Sequence, residues 1–216
     1  MDLYDFDHSY RSGGFDFIAG VDEAGRGPLA GPVVAGAVIL PVDIKIKGLN
    51  DSKKLSLKQR EQIYKEIISC AIAYGIGVAS NDEIDHLNIL EASRLAMLRA
   101  IRSLVKPPDL LIIDAVRLPE IQIPQISIVK ADSKSAVVAA ASVIAKVSRD
   151  TIMVDIDKKY PQFGFAQHKG YPTKQHYLAI ERYGLSPVHR KTFRTKNPYK
   201  YSGANRLFEQ TQCKDF

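Results

Sequence analysis

An apolar strand that stops dead on two adjacent carboxylates constrains this chain more than any other feature. Ile18-Ala19-Gly20-Val21 runs into Asp22-Glu23, and Ala24-Gly25-Arg26-Gly27-Pro28 follows. Asp is disfavoured inside strands, so the strand has to end there. Two readings stand side by side. A polar turn can close a hairpin, with Gly25 and Gly27 supplying positive φ. Alternatively, the paired carboxylates begin a site for a hard divalent cation, which takes clustered carboxylate oxygens.

Downstream, Val33 to Leu40 is a second apolar strand, placed by the Gly/Pro-rich connection as the antiparallel partner of the first. Ser56 with Gln59 makes a capping box for a helix that carries Ile63, Ile67, Cys70 and Ala71 on one face. Ala73 to Ala79 reads as a third strand. Asn81 then caps a helix reaching about Val105, with Leu87, Leu90, Met97, Ile101 and Leu104 along one face and Pro107-Pro108 as its stop. Leu110-Leu111-Ile112-Ile113 is apolar throughout, as in a strand buried on both sides, and it too ends on an acid, Asp114. A strand from Gln125 to Val129 leads to Asp132 or Ser133 as the cap of an alanine-rich helix, Lys134 to Lys159, closed by Pro161. Thr173 caps a short helix that ends near Gly184. This order predicts an α/β fold on a mixed sheet, antiparallel at its start and parallel afterwards.

Three strands therefore end on acids, or are followed at once by them: Asp22-Glu23, Asp114 and Asp132. Ligands of α/β folds collect beyond the carboxyl ends of strands. If these strands lie side by side, four carboxylates meet and repel one another unless cations neutralise them. Oxygen-only ligands suit Mg²⁺ or Mn²⁺, with phosphate as co-ligand. Taken singly, each acid is equally well a turn residue or a helix cap.

The 216-residue chain carries a formal net charge of +6 with a pI of about 9.2, which favours an anionic partner, nucleic acid above all. Basic residues concentrate in 168–200, where Lys169, Lys174, Arg182, Arg190, Lys191, Arg194, Lys196 and Lys200 face a single Glu181. Ser52 and Lys53 precede a helix start, a place suited to phosphate. Ser135, Ser142, Lys146 and Arg149 form a polar stripe on the alanine-rich helix, either its wet face or a track for a nucleic-acid backbone. Gly25-Arg26-Gly27 lets main chain approach a ribose 2′-hydroxyl, and Tyr171, between Gly170 and Pro172, offers a ring for stacking. No apolar run approaches the ~18 residues of a membrane span. Residues 1–16 lack the basic and apolar regions of a secretory signal, and only Cys70 and Cys213 occur, so the expected location is the cytoplasm.

In sequence order, Val21 to Ala37, Asn50 to Ser56, Lys130 to Lys134, Ala140 to Asp150, His168 to Thr173 and Ser186 to Arg190 resemble the motifs of bacterial ribonuclease HII. The resemblance spans roughly residues 17–194 and leaves a 1–16 extension and a 195–216 tail. It implies an RNase H-like mixed five-stranded sheet flanked by helices, with a small helical C-terminal part. It also implies an endonuclease, a monomer, that cuts the RNA strand of RNA–DNA hybrids and incises duplex DNA at embedded ribonucleotides. Two Mg²⁺ or Mn²⁺ ions would be held by Asp22, Glu23, Asp114 and Asp132. Gly25, Arg26 and Gly27 would read ribose, Tyr171 the junction, and Ser52, Lys53, Ser142 and Lys146 the phosphates. Asp114-Ala115-Val116 departs slightly from the family's turn. The nearest relative family, ribonuclease HIII, usually has Ser-Gly-Lys-Gly where this chain has Ala24-Gly25-Arg26-Gly27, and it carries an extra N-terminal domain. A non-catalytic nucleic-acid-binding module and a DNA-cutting metal nuclease of the same fold class are the remaining alternatives. In the tail, 205–212 is expected as a short helix with Leu207 and Phe208 on its docking side.

Overall fold

This computed structural model describes residues 2–193. Five strands form one sheet in the order β3-β2-β1-β4-β5. The first three, β1 (Ile18–Ala24), β2 (Val33–Ile39) and β3 (Ala73–Ala79), are antiparallel neighbours, while β4 (Leu110–Asp114) and β5 (Gln125–Ile128) run parallel to β1. The antiparallel half follows from the short Gly/Pro connection between β1 and β2. The parallel half requires crossovers, and helices supply them.

Small residues set how closely those helices approach. A Cβ added at Gly20 would stand 2.1 Å from the carbonyl carbon of Val137, and one at Gly36 would stand 2.5 Å from the Ala141 oxygen. Helix α5 (Ala136–Lys159) therefore lies with its backbone against the sheet, and its alanines and valines are buried from Ala136 to Ala145. Helices α1 (Leu3–Arg11) and α2 (Leu57–Cys70) pack on α5. The other face is covered by α3 (Asn81–Leu87) and α4 (Ile89–Arg102), with Ala92, Ala96, Met97, Ala100 and Ile101 buried against Ala19, Val21, Ala35 and Ile113. Beyond α5 come α6 (Phe165–His168) and α7 (Lys174–Tyr183), the latter capped by Thr173 and ended at Gly184 as expected. Among the described residues no helix is long and apolar enough to cross a membrane.

Several local expectations need correction. The helix expected from Asn81 to Val105 is two helices. Asn88 adopts φ 74, and its side chain accepts from the N–H groups of Leu90 and Glu91, which restarts the chain as α4. Leu87 and Leu90 flank this break and are exposed. The cap of α3 is Ser80, paired with Glu83 in a capping box, rather than Asn81. Helix α4 stops at Arg102, ahead of the two prolines. Helix α5 begins two residues late, capped by Ser135 rather than Asp132 or Ser133, because Ala131–Ser133 forms its own 3₁₀ turn. Cys70 is half-buried, and α1 has no counterpart in the expected elements. The tail and the helix expected at 205–212 lie outside the described residues.

Candidate active site

The β1–β4 register builds the site. The last paired residues are Val21 and Ile113, so Asp22 and Asp114 follow at the adjoining ends of two parallel strands. Alternation puts both on the α5 face, in phase with Ile18 and Gly20 on β1 and with Leu110 and Ile112 on β4. Past Asp114 the chain turns sharply, with Ala115 at φ 59. The Asp114 carboxylate accepts from Ala131 N–H at 2.9 Å, and this anchors the 3₁₀ turn that carries Asp132. Glu23, one residue on from Asp22, reaches the same edge from the opposite phase of β1.

Electrostatics shows that these four acids sense one another. Burial raises Asp22 well above the ordinary carboxylate range, and the charges of Glu23, Asp114 and Asp132 push it further. Glu23 is raised by burial and by Asp114, against the opposing pull of Arg26 at 3.3 Å. Asp132 is raised by burial and by Asp51, and Lys53 counters that at 3.8 Å. Partial burial lowers Lys53, but Asp22, Asp132, Asp51 and Asp114 outweigh it, so its ammonium is held more firmly than usual. Lys53 thus faces Asp22, Asp114 and Asp132, while Arg26 faces Glu23. Glu23 Oε2 is buried with no hydrogen-bond partner.

These are oxygen donors with surplus negative charge, which fits Mg²⁺ or Mn²⁺. Among the described residues no three His, Cys, Asp or Glu side chains close around a single point.

Next to the acids lies the Gly25–Pro32 loop. Gly25 adopts φ 101, and a Cβ there would meet Arg149 Nε at 2.0 Å, so glycine is required on both counts. Gly27 is open: a Cβ would approach only Tyr171 Cε1, at 3.9 Å. Tyr171 is half-exposed, with Lys146 Nζ and the Arg149 guanidinium each 5.8 Å from its ring centre. Lys146 also pairs with Asp150 at 2.6 Å, and burial lowers its pKa.

Several residues singled out in the sequence take up internal posts. Ser142 is buried; its hydroxyl donates to Ala139 O at 2.8 Å and accepts from Ser52 N–H at 3.3 Å. Ser52 is also buried, so this pair joins the Ser52–Lys54 turn to α5, and neither serine lies on the open surface. Ser135 is consumed as the α5 cap. Arg149, expected on a wet stripe, is fully buried and donates to the carbonyls of Pro32, Lys169 and Ala30.

Three groups went unassigned in the sequence. Asp51 stands beside Asp132. Arg190 is fully buried and spans the carbonyls of Gly31, Arg26, Gly25 and Pro32. Burial, reinforced by Arg149, pushes it down to about 9, which leaves it charged at neutral pH. Beneath Tyr171 lies a histidine cluster in which His168 stacks on His176 at 4.4 Å and His176 Nε2 meets His189 Nε2 at 3.0 Å. Charged groups with backbone partners leave no side-chain signature in the sequence. Asp51, His168, His189 and Arg190 fall within the Asn50–Ser56, His168–Thr173 and Ser186–Arg190 motifs, whereas His176 falls in none of them.

With this geometry in hand, relatives can be compared. The family model described as Ribonuclease HII matches residues 19–196. A protein named Ribonuclease HII from Clostridioides difficile is 54% identical over 188 residues, 87% of this chain and 74% of that protein. One of the same name from Acetivibrio thermocellus is 56% identical over 184 residues, 85% of this chain and 72% of its own length. The crystal structure of the ribonuclease H2 from Pyrococcus horikoshii superposes with a TM-score of 0.70 at 31% identity, covering 83% of this chain and 94% of that one.

Proposed function

The chain belongs to the ribonuclease HII family and is a ribonuclease H; from that premise we propose that it cuts RNA–DNA hybrids and duplex DNA with embedded ribonucleotides by two-metal phosphodiester hydrolysis. The observation that carries this reading is the meeting of Asp22 and Asp114 at adjoining ends of parallel strands, with Asp132 tied to Asp114 through Ala131 N–H. Asp22, Glu23, Asp114 and Asp132 would hold two Mg²⁺ or Mn²⁺ ions. Bound there, they would supply Lewis-acid charge to lower the pKa of an attacking water and to offset charge on the departing 3′-oxygen.

The remaining work falls to the chain itself. Lys53, held charged beside the acids, offers a cation to the phosphate next to the cut. The exposed main chain at Arg26 and Gly27 meets the sugar, where a 2′-hydroxyl separates RNA from DNA. The half-exposed ring of Tyr171 stacks beside it, and Lys146 lies under the backbone path. Ser52 and Ser142 support this surface from below. The products would carry 5′-phosphate and 3′-hydroxyl ends, and the site of action is the cytoplasm.

Three duplexes test the reading: one with a single ribonucleotide, one RNA–DNA hybrid and one all-DNA, each with Mg²⁺, Mn²⁺ or EDTA. Metal-dependent cutting of the first two alone is expected. Cutting in EDTA, or equal cutting of all-DNA, would overturn it.

A further inference from the structure

We propose that Arg190 is a positioning residue that turns the ribose-reading loop so that its N–H groups face the substrate. The inference rests on the functional reading above and adds a residue and a geometry to it. Arg190 Nη2 donates to Gly25 O at 2.6 Å, and Nη1 donates to Arg26 O at 2.8 Å. Two consecutive carbonyls of the loop therefore point into the protein. In a trans peptide the C=O and the following N–H point in opposite directions, and the described residues contain no cis bond. The N–H groups of Arg26 and Gly27 must then point away from Arg190. Both residues are exposed, and neither N–H has a backbone acceptor among the described residues. Two adjacent donors thus face outward beside the carboxylate edge.

The rest of the loop is held the same way. Arg190 Nε donates to Gly31 O, and Pro32 O is shared between Arg190 and Arg149. Among the described residues neither guanidinium has a carboxylate partner. Both are fully buried, and carbonyls are their hydrogen-bond acceptors. A lysine's three donors radiate from one nitrogen and cannot span four acceptors laid out to match the planar fork. The acceptor that a ribose-reading loop would meet with these outward donors is a ribose 2′-oxygen; a phosphate oxygen is the rival acceptor. An all-DNA duplex offers only the second, so it separates the two sources.

The test uses the full chain, wild type and Arg190→Lys, with an all-DNA duplex and its single-ribonucleotide counterpart. Ca²⁺ replaces Mg²⁺, so that binding is read apart from cutting. In the wild type, the ribonucleotide duplex should slow amide exchange at Arg26 and Gly27 about tenfold more than the all-DNA duplex, the scale of one hydrogen bond. Folded Arg190→Lys should keep its Kd for all-DNA within about twofold and lose about tenfold for the ribonucleotide duplex. An intact preference in the folded variant, or equal weakening on both duplexes as from general destabilisation, would overturn the proposal. If Arg190→Lys does not fold, the wild-type exchange decides, and equal protection by both duplexes overturns it. Loss of cutting alone bears on the functional reading, because neither exchange nor Kd depends on it.

Discussion

The carboxylate edge and the lock beneath the reading loop lie side by side and solve opposite electrostatic problems. At the edge, like charges converge with too few partners: Asp22, Glu23 and Asp132 are all raised, and Glu23 Oε2 has no partner. In the lock, two cations and three neutral histidines are buried, and their donors and acceptors are matched. His176 Nδ1 lies 3.0 Å from the carbonyl of Tyr171, so it carries the proton; its Nε2 then accepts from His189, whose Nδ1 accepts from Ser186 N–H. His168 Nδ1 accepts from Gly170 N–H, and its Nε2 donates to Phe163 O. Every tautomer is set by its partners. The edge is built to be completed by something that binds, whereas the lock is already complete.

The largest difference should appear in catalysis. Asp114→Asn keeps an acceptor for Ala131 N–H and so keeps the turn, but removes a charge from the proposed metal-binding set. Cleavage should fall on the order of 10³-fold in Mg²⁺ with the melting temperature nearly unchanged. Full activity would remove Asp114 from the metal set.

Acid should break the lock before the edge. A histidine lowered in the fold binds its proton more readily when unfolded, so its contribution is present above 6.5 and is lost as pH falls towards its native value. His176 and His189 are each held at about 4, chiefly by burial. Between pH 6.5 and 4 the fold should lose several kcal/mol, up to roughly 3 kcal/mol for each histidine. Thermal unfolding across that range should show uptake of about two protons. A flat profile would mean that the histidines charge within the fold.

The edge has the opposite sign. An acid raised in the fold ionises more readily when unfolded, so stability declines as pH climbs from 3.8 through the raised native pKa of Asp22. Asp22→Asn keeps the acceptor for Glu23 N–H, now at 2.7 Å, and removes the repulsion. In EDTA at pH 7 it should stabilise the protein by about 1 kcal/mol. With Mg²⁺ the wild type should recover that difference. A lower melting temperature for the variant in EDTA would show that the acids do not repel as described.

What the sequence discloses divides along the same line. The edge is legible because acids at the ends of apolar runs break strand preference, and Asp22, Asp114 and Asp132 each do so where a strand or its turn ends. All five strands are legible for the same reason of pattern. The lock is not. Arg149 occupies a helical position that reads as solvent-facing, and its acceptors are main-chain oxygens at Ala30, Pro32 and Lys169, which no side-chain pattern encodes. Helix α1 escapes because its buried residue is an acid: Asp7 accepts from Val137 N–H at 2.9 Å near the start of α5. Asn88 escapes because Leu87, Ile89 and Leu90 continue an apolar pattern straight across the break.

The smallest test lies at the edge itself, in the Asp114–Val116 turn. Ala115 holds φ 59, where its Cβ crowds the backbone at a cost of roughly 1 kcal/mol. Its N–H donates to Ile128 O at 3.1 Å, and Val116 N–H returns to Asp114 O at 2.8 Å, so the turn is fixed by hydrogen bonds rather than by the methyl group. Ala115→Gly relieves the crowding but adds freedom to the unfolded chain. The first effect should win by about 0.5 kcal/mol, raising the melting temperature slightly. Because Asp114 and Asp132 are tied through Ala131 N–H, the metal concentration for half-maximal cleavage should stay where it is. If that midpoint rises while stability does not fall, the Ala115 side chain is helping to aim Asp114, and the edge is more rigidly set than its repulsions suggest.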